Sequence, residues 1–177
     1  MASLSAEPDE GSGDSRAKRD PVSVSAEGID GLRELIGEPI GPTDWIEVTQ
    51  ERIDRFAEVS GDDQWIHVDP ERCARESPFG TTIAHGDLTL ALINGIRDQL
   101  IQQRGVTMAI NYGWDRVRYP APVPVDSRVR IGAEVLSVDD RGEGWWHVVT
   151  RLTVEREGSE KPVCVADSAV RLLAEPG

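Results

Sequence analysis

Apolar and polar positions change their spacing twice along this chain. Ile29, Leu32, Leu35 and Ile36 recur at helical intervals and Gly37 offers a stop, which predicts a short amphipathic helix. Trp45, Ile46 and Val48 predict a first strand, entered through the turn-prone Gly41-Pro42-Thr43. Thr49 then stands where a helix cap belongs and Glu51 suits the positive end of the helix dipole. Ile53, Phe56, Ala57 and Ser60 share one face of that helix, and Gly61 ends it. From Asp62 to Thr82 periodicity is lost in a long connection, relieved by a short helix over Pro70 to Arg75 with Asp69 as its cap. Leu88, Leu90, Ala91, Leu92, Ile93 and Ile96 follow, apolar on nearly every side, which predicts a helix surrounded by protein.

Beyond Gly105 the period becomes two. Met108, Ile110, Tyr112 and Trp114 alternate, as do Val129, Ile131, Ala133 and Val135. Trp146, Val148, Thr150, Leu152 and Val154 form the clearest strand, and Val163 to Leu172 supplies the last. Short connections, among them Asp139-Asp140-Arg141-Gly142-Glu143-Gly144, make these strands antiparallel neighbours. The expected class is α+β, a curved antiparallel sheet wrapped around a central buried helix.

Length and charge narrow the picture further. The 177 residues suit one domain, placed here at 28–177 and preceded by a polar tail over 1–27. That tail mixes acids and bases without an apolar core segment, so it reads as disordered and as neither a signal peptide nor a transit peptide. A net charge of −13 argues against nucleic acid as a partner. Membrane association is not expected either, since no apolar run approaches the ~20 residues that a span requires. Cys73 and Cys164 lie far apart and read as reduced, small apolar side chains in a cytoplasmic protein. Gly28-Ile29-Asp30-Gly31 lacks the preceding strand and the spacing of a nucleotide-binding loop, so no ATP, NAD or other cofactor is expected.

Chemistry concentrates between Phe56 and Ala91. Asp62 and His67 stand five residues apart just beyond the helix-ending Ser60-Gly61, offering a carboxylate and an imidazole from one loop. Ala84-His85-Gly86 immediately precedes the apolar helix, so backbone N–H groups are exposed at a helix start, where negative charge is stabilised. An acid/base pair and an N–H donor are the minimum needed for chemistry beside a carbonyl. Each residue also has a plainer reading. Asp62 would serve as a turn residue, His67 as a half-buried core histidine, and His85 as a side chain that shapes the helix entry by bonding backbone groups. A zinc site from His67, His85 and Cys73 fits no usual ligand spacing, and no metal is expected. His147, beside two strand tryptophans, reads as packing or solvent-facing.

Ser60-Gly61-Asp62 leading to His67-Val68-Asp69-Pro70, then Phe79-Gly80-Thr81-Thr82-Ile83-Ala84-His85-Gly86 and an apolar helix, resembles the MaoC-like, R-specific enoyl-CoA hydratases of the hot-dog superfamily. Asp44-Trp45-Ile46, Asn111-Tyr112-Gly113 and the run from Val117 to Val125 extend the resemblance from about residue 28 to the C-terminus, in particular to single-hot-dog actinobacterial members. The resemblance implies reversible hydration of a trans-2-enoyl-CoA to the (R)-3-hydroxyacyl-CoA. Asp62 and His67 would share the proton traffic, in roles that the sequence leaves open, and the Gly86 N–H would hold the thioester oxygen. It further implies a homodimer joined through its sheets, and His85 and Asp87 at the helix start are expected to contact substrate. Asn111, Arg116 and Arg118 lie on a segment shared with the family, and some of them with Arg128 or Arg130 are expected to form a positive patch for the phosphates of coenzyme A; the alternative is a ladder of solvated charges and cross-strand pairs with Glu134. Two alternatives stay open: a hot-dog acyl-CoA thioesterase using a carboxylate near the helix, and a non-catalytic subunit of a two-component dehydratase. Asp87 departs from the family pattern, which carries a large apolar residue there; it suits the helix dipole but adds negative charge where the enolate would form, unless its side chain points to solvent or pairs with an arginine.

Overall fold

In a computed structural model, which describes residues 23–175, the period-two segments form one antiparallel sheet. Its long strands are Val106–Arg118 (β5), Ser127–Asp140 (β6), Trp145–Arg156 (β7) and Cys164–Ala174 (β8). Hydrogen bonding runs β6-β7-β8-β5, and Pro39–Ile40 (β2) and Ile46–Val48 (β3) both pair with β6. Alternation works as the sequence predicts. Val129, Ile131, Ala133 and Val135 project from one face of β6, alongside Leu152 and Val154 of β7 and Ala166, Val170 and Leu172 of β8, and all of these are buried.

Gly86–Ile96 (α5) lies on that face and joins the same core through Leu88, Ile93 and Ile96. Each such side chain stabilises the fold by about 1.5–3 kcal/mol through burial. The helix is not enclosed on every side as its composition suggests: Asp87, Ala91, Asn94 and Gly95 are exposed. One sheet covers one side of a helix, and the residues turned away from it here are small or polar. The helix is therefore central but half-buried.

Gly28–Glu34 (α1) and Gln50–Ser60 (α2) form where their apolar spacing predicts, burying Ile29 and Leu32, and Ile53 and Ala57, respectively. Thr49 caps α2 by accepting from the Arg52 N–H at 3.4 Å. Val24–Glu27 (β1) falls inside the stretch read as tail and pairs in parallel with Ile101–Arg104 (β4). The folded unit thus begins before residue 28, and residues 1–22 lie outside the described range. A four-residue Val-Ser-Ala-Glu strand has too little alternation to be seen in isolation.

Candidate active site

The connection between α2 and α5 is built to hold two histidines together. Gly61, at φ 75°, takes the left-handed conformation that closes α2, and its N–H bonds Ala57 O at 2.8 Å. Asp62 then leaves the helix at a sharp angle. His67 sits on a one-turn helix, Trp65–Val68 (α3), where the sequence suggested an open loop. Asp69 ends that turn and caps Pro70–Glu76 (α4), its Oδ1 accepting from the Arg72 N–H at 2.9 Å. The returning chain is pinned at both sides. Ile83 N–H bonds Ile66 O at 3.1 Å, Ala84 N–H bonds Val123 O at 2.8 Å, and Val125 N–H bonds Thr82 O at 3.0 Å. His85 and Gly86 are thereby delivered beside α3.

The hydrogen bonds fix which ring nitrogens carry protons. His67 Nδ1 lies 2.6 Å from Ile83 O, and a carbonyl can only accept, so Nδ1 is the protonated nitrogen and Nε2 keeps a free lone pair. His85 Nε2 lies 2.9 Å from Asp62 O by the same logic as donor, leaving a buried Nδ1 with no partner among the described residues. The two rings stack at 3.8 Å between centroids with planes 26° apart, and Phe56 packs on His85 at 5.0 Å. Burial holds His67 below the ordinary imidazole pKa; the Ile83 carbonyl opposes this, His85 adds to it, and Asp62 opposes it. The His67 imidazole is therefore held toward its neutral form. Through its Nε2 bond His85 ties the Asp62 backbone to the helix entry.

One ring nitrogen of each histidine and a carboxylate oxygen of Asp62 lie within 4.8 Å of one another. That trio could face a cation. However, near-parallel stacked rings send their lone pairs into planes that meet well beyond the ~2 Å reach of a metal–nitrogen bond, so one ring would have to turn. Cys73 stands outside the set: its buried thiol points to the carbonyls of Trp65 and Ile66, and burial pushes its pKa up.

The start of α5 supplies the third component. His85 occupies the cap position but makes no side-chain cap, so the first-turn N–H groups, Gly86 foremost, are left without an intrahelical partner. A Cβ at residue 86 would stand 2.7 Å from Cδ2 and Cε2 of Tyr119, so only glycine allows the ring to lie this close. Asp87, next in line, is exposed and meets no arginine among the described residues. Its Oδ1 accepts from the Tyr119 hydroxyl at 2.6 Å.

Sequence reasoning missed three residues that shape this site. Gln50 donates to His67 O at 2.7 Å and accepts from the fully buried Thr82 hydroxyl at 2.5 Å, joining α2, α3 and the returning strand. Tyr119 belongs to the Val117–Val125 run, but its partner is 32 residues away and no local pattern marks it. The expected phosphate patch is divided. Asn111 pairs with buried Val170 on the α5 side of the sheet, whereas Arg116 and Arg118 pair with Asp167 and Val165 on the outer side. Arg128 and Arg130 also face outward, bonded to Glu157 at 3.2 Å and Glu155 at 2.9 Å and stacked over Trp45. Arg116 and Arg118 make no ion pair among the described residues, and Arg118 adjoins Tyr119 at the mouth of the site. His147 packs edge-on against Tyr112 at 5.7 Å, remote from this chemistry in the sheet.

A single helix cradled by a curved antiparallel sheet, with its uncapped N-terminus meeting the histidine-bearing loops, is a hot-dog fold. Residues 32–157 match the MaoC-like domain, and the chain belongs to that family. It is 51% identical over 148 residues to 3-hydroxyacyl-thioester dehydratase Z of Mycobacterium tuberculosis, covering 84% of this chain and 97% of the relative. Nodulation protein N of Rhizobium leguminosarum is 46% identical over 134 residues, with 75% and 83% covered. Among solved structures, a monoamine oxidase regulatory protein from Archaeoglobus superposes with a TM-score of 0.73 at 27% identity, covering 87% of this chain and 99% of that one.

Proposed function

We propose that the protein is a hydro-lyase that adds water reversibly to a trans-2-enoyl-CoA, giving the (R)-3-hydroxyacyl-CoA. The observation that carries the mechanism is the Ile83 carbonyl bonded to His67 Nδ1, which leaves Nε2 with a free lone pair on a ring that has one nitrogen within 4.8 Å of an Asp62 carboxylate oxygen. In this reading Asp62 accepts one hydrogen bond from the attacking water and His67 Nε2 takes the proton of its other O–H. The water oxygen bonds C3, and the electron pair of the C2–C3 bond moves toward the thioester oxygen. The Gly86 N–H and the α5 dipole stabilise the enolate oxygen so formed. The imidazolium then returns its proton to C2, so one water supplies both groups and His67 ends as it began. No cofactor is needed for any step.

The 51% relative is itself named for dehydrating 3-hydroxyacyl thioesters, which is this reaction run in reverse. A thioesterase would need a free carboxylate near the helix, and Asp87 is engaged by Tyr119. The (R) assignment is tested by converting crotonyl-CoA and reading the product with (R)- and (S)-specific 3-hydroxyacyl-CoA dehydrogenases. Only the (R)-specific enzyme is expected to turn it over, and reaction with the (S)-specific enzyme alone would refute the assignment.

Acidity gives a second test. Because the base must be unprotonated and its pKa is lowered, kcat/KM is expected to fall only below pH 6.5, with a midpoint below that value. A midpoint above pH 6.5 would remove His67 as the base.

We also infer a homodimer. Among the described residues β5 is bonded only to β8, and its other edge runs thirteen residues with Met108, Ile110 and Tyr112 exposed by 46%, 44% and 64%. A long, partly apolar, unpaired edge is a template for a second strand. Light scattering is expected to give twice the mass of one chain, and Ile110→Lys, which adds a charge on that edge, is expected to yield monomer. A monomeric parent would refute the inference. Among the described residues no helix is long and apolar enough to cross a membrane. The acyl-CoA substrate and the two free, buried cysteines fit a cytoplasmic setting.

A further inference from the structure

The acidic residue beside the oxyanion donor has a specific partner, and that pairing points to a role. Asp87 follows Gly86 in the first turn of α5, one residue from the N–H that would meet the enolate oxygen. An unscreened carboxylate there opposes the charge that the reaction develops. Its Oδ1 accepts from Tyr119 Oη at 2.6 Å, and the same Tyr119 ring lies on Gly86 closely enough to exclude a Cβ. One side chain therefore touches both the donor residue and the acid next to it. Tyr119 reaches this place from the end of β5, so the contact ties the sheet to the helix start.

We propose that Tyr119 is a positioning residue that acts through Asp87: its hydroxyl holds and screens the Asp87 carboxylate, turning that charge away from the thioester oxygen at the Gly86 N–H. The arrangement lets this chain carry an acid at a position where charge would otherwise slow the reaction. Asp87 still favours the helix N-terminus, and the tyrosine hydroxyl takes up the negative charge that would compete for the same N–H groups. The inference rests on Gly86 as the oxyanion donor in the hydratase reading.

The test is a cycle of three variants of the full chain, assayed for enoyl-CoA hydration. Tyr119→Phe keeps the ring on Gly86 and removes only the screening hydroxyl; kcat is expected to fall about tenfold with KM changed less than twofold. Asp87→Asn keeps an acceptor for Tyr119 and removes the charge, and is expected to raise kcat two- to threefold. In the double variant the uncompensated charge is gone, so kcat is expected to recover to within about threefold of the parent. A double variant as slow as Tyr119→Phe alone would overturn the proposal, because a purely packing role gives no rescue. Parental kcat in Tyr119→Phe would overturn it as well. His67→Gln assayed alongside separates the two readings. If it collapses while Tyr119→Phe is unaffected, only the present inference falls; if His67→Gln keeps parental activity, the dyad falls.

Discussion

His67→Gln is expected to lower kcat for enoyl-CoA hydration by about three orders of magnitude while the protein stays folded, in line with the roughly 10²–10⁴-fold contributed by general acid–base groups. Glutamine preserves the size of the side chain and can still donate to Ile83 O, so the backbone tie at 2.6 Å has a substitute. What glutamine lacks is a basic ring nitrogen. Asp62→Asn removes the carboxylate proposed to orient the water and balance the imidazolium, and a loss of similar size is expected. Because the two groups act on one water, the double variant should be little worse than either single one. Additive losses, giving a double variant slower by the product of the single effects, would mean that Asp62 and His67 work in separate steps. Melting curves check that the folds survive; Asp62 is exposed, so its replacement leaves the core untouched.

The second large effect is expected at Gly86. Gly86→Ala places a methyl 2.7 Å from two ring carbons of Tyr119, and that ring cannot swing away without breaking the hydroxyl's bond to Asp87. Relief must come from the ring, from the first turn of α5, or from both, at about 1–3 kcal/mol of stability, as for other overpacked positions. Either movement shifts the N–H proposed to meet the thioester oxygen, and loss of one oxyanion donor is worth about 10²-fold or more in kcat. The expected result is a folded protein of lower Tm with kcat reduced about a hundredfold. Combining Gly86→Ala with Tyr119→Ala, which opens the space, should restore Tm more than kcat. Parental kcat in Gly86→Ala would show that the helix start takes no part in catalysis.

Much of this was legible in the sequence because local signals agree with the fold. Period-two alternation in β6 and β7 places the correct residues in the core, and Thr49, Gly61 and Asp69 terminate or begin helices through bonds to their own neighbours. The pairing of Asp62 with His67 and the exposed N–H at Gly86 were also readable, since each depends on a few adjacent residues. What escaped depends on distance or on parity. Tyr119 meets Asp87 across 32 residues, and Gln50 meets Thr82 across the same span. Odd intervals separate Asn111 from Arg116 and Arg118, so strand alternation puts it on the other face of β5, and the two bulges between them, each adding one residue, leave that parity unchanged; reading one shared segment had grouped all three. The open face of α5 likewise could not be seen from its apolar content, because nothing in a helix's own residues states how many layers will cover it.

The measurement that tests the hydratase reading most directly uses the unmodified chain with crotonyl-CoA and a longer trans-2-enoyl-CoA, following enoyl-thioester ultraviolet absorbance and free thiol in the same cuvette. Loss of absorbance to an equilibrium, without release of coenzyme A, is the expected result. Release of thiol with the double bond intact would contradict it and assign the site to thioester hydrolysis.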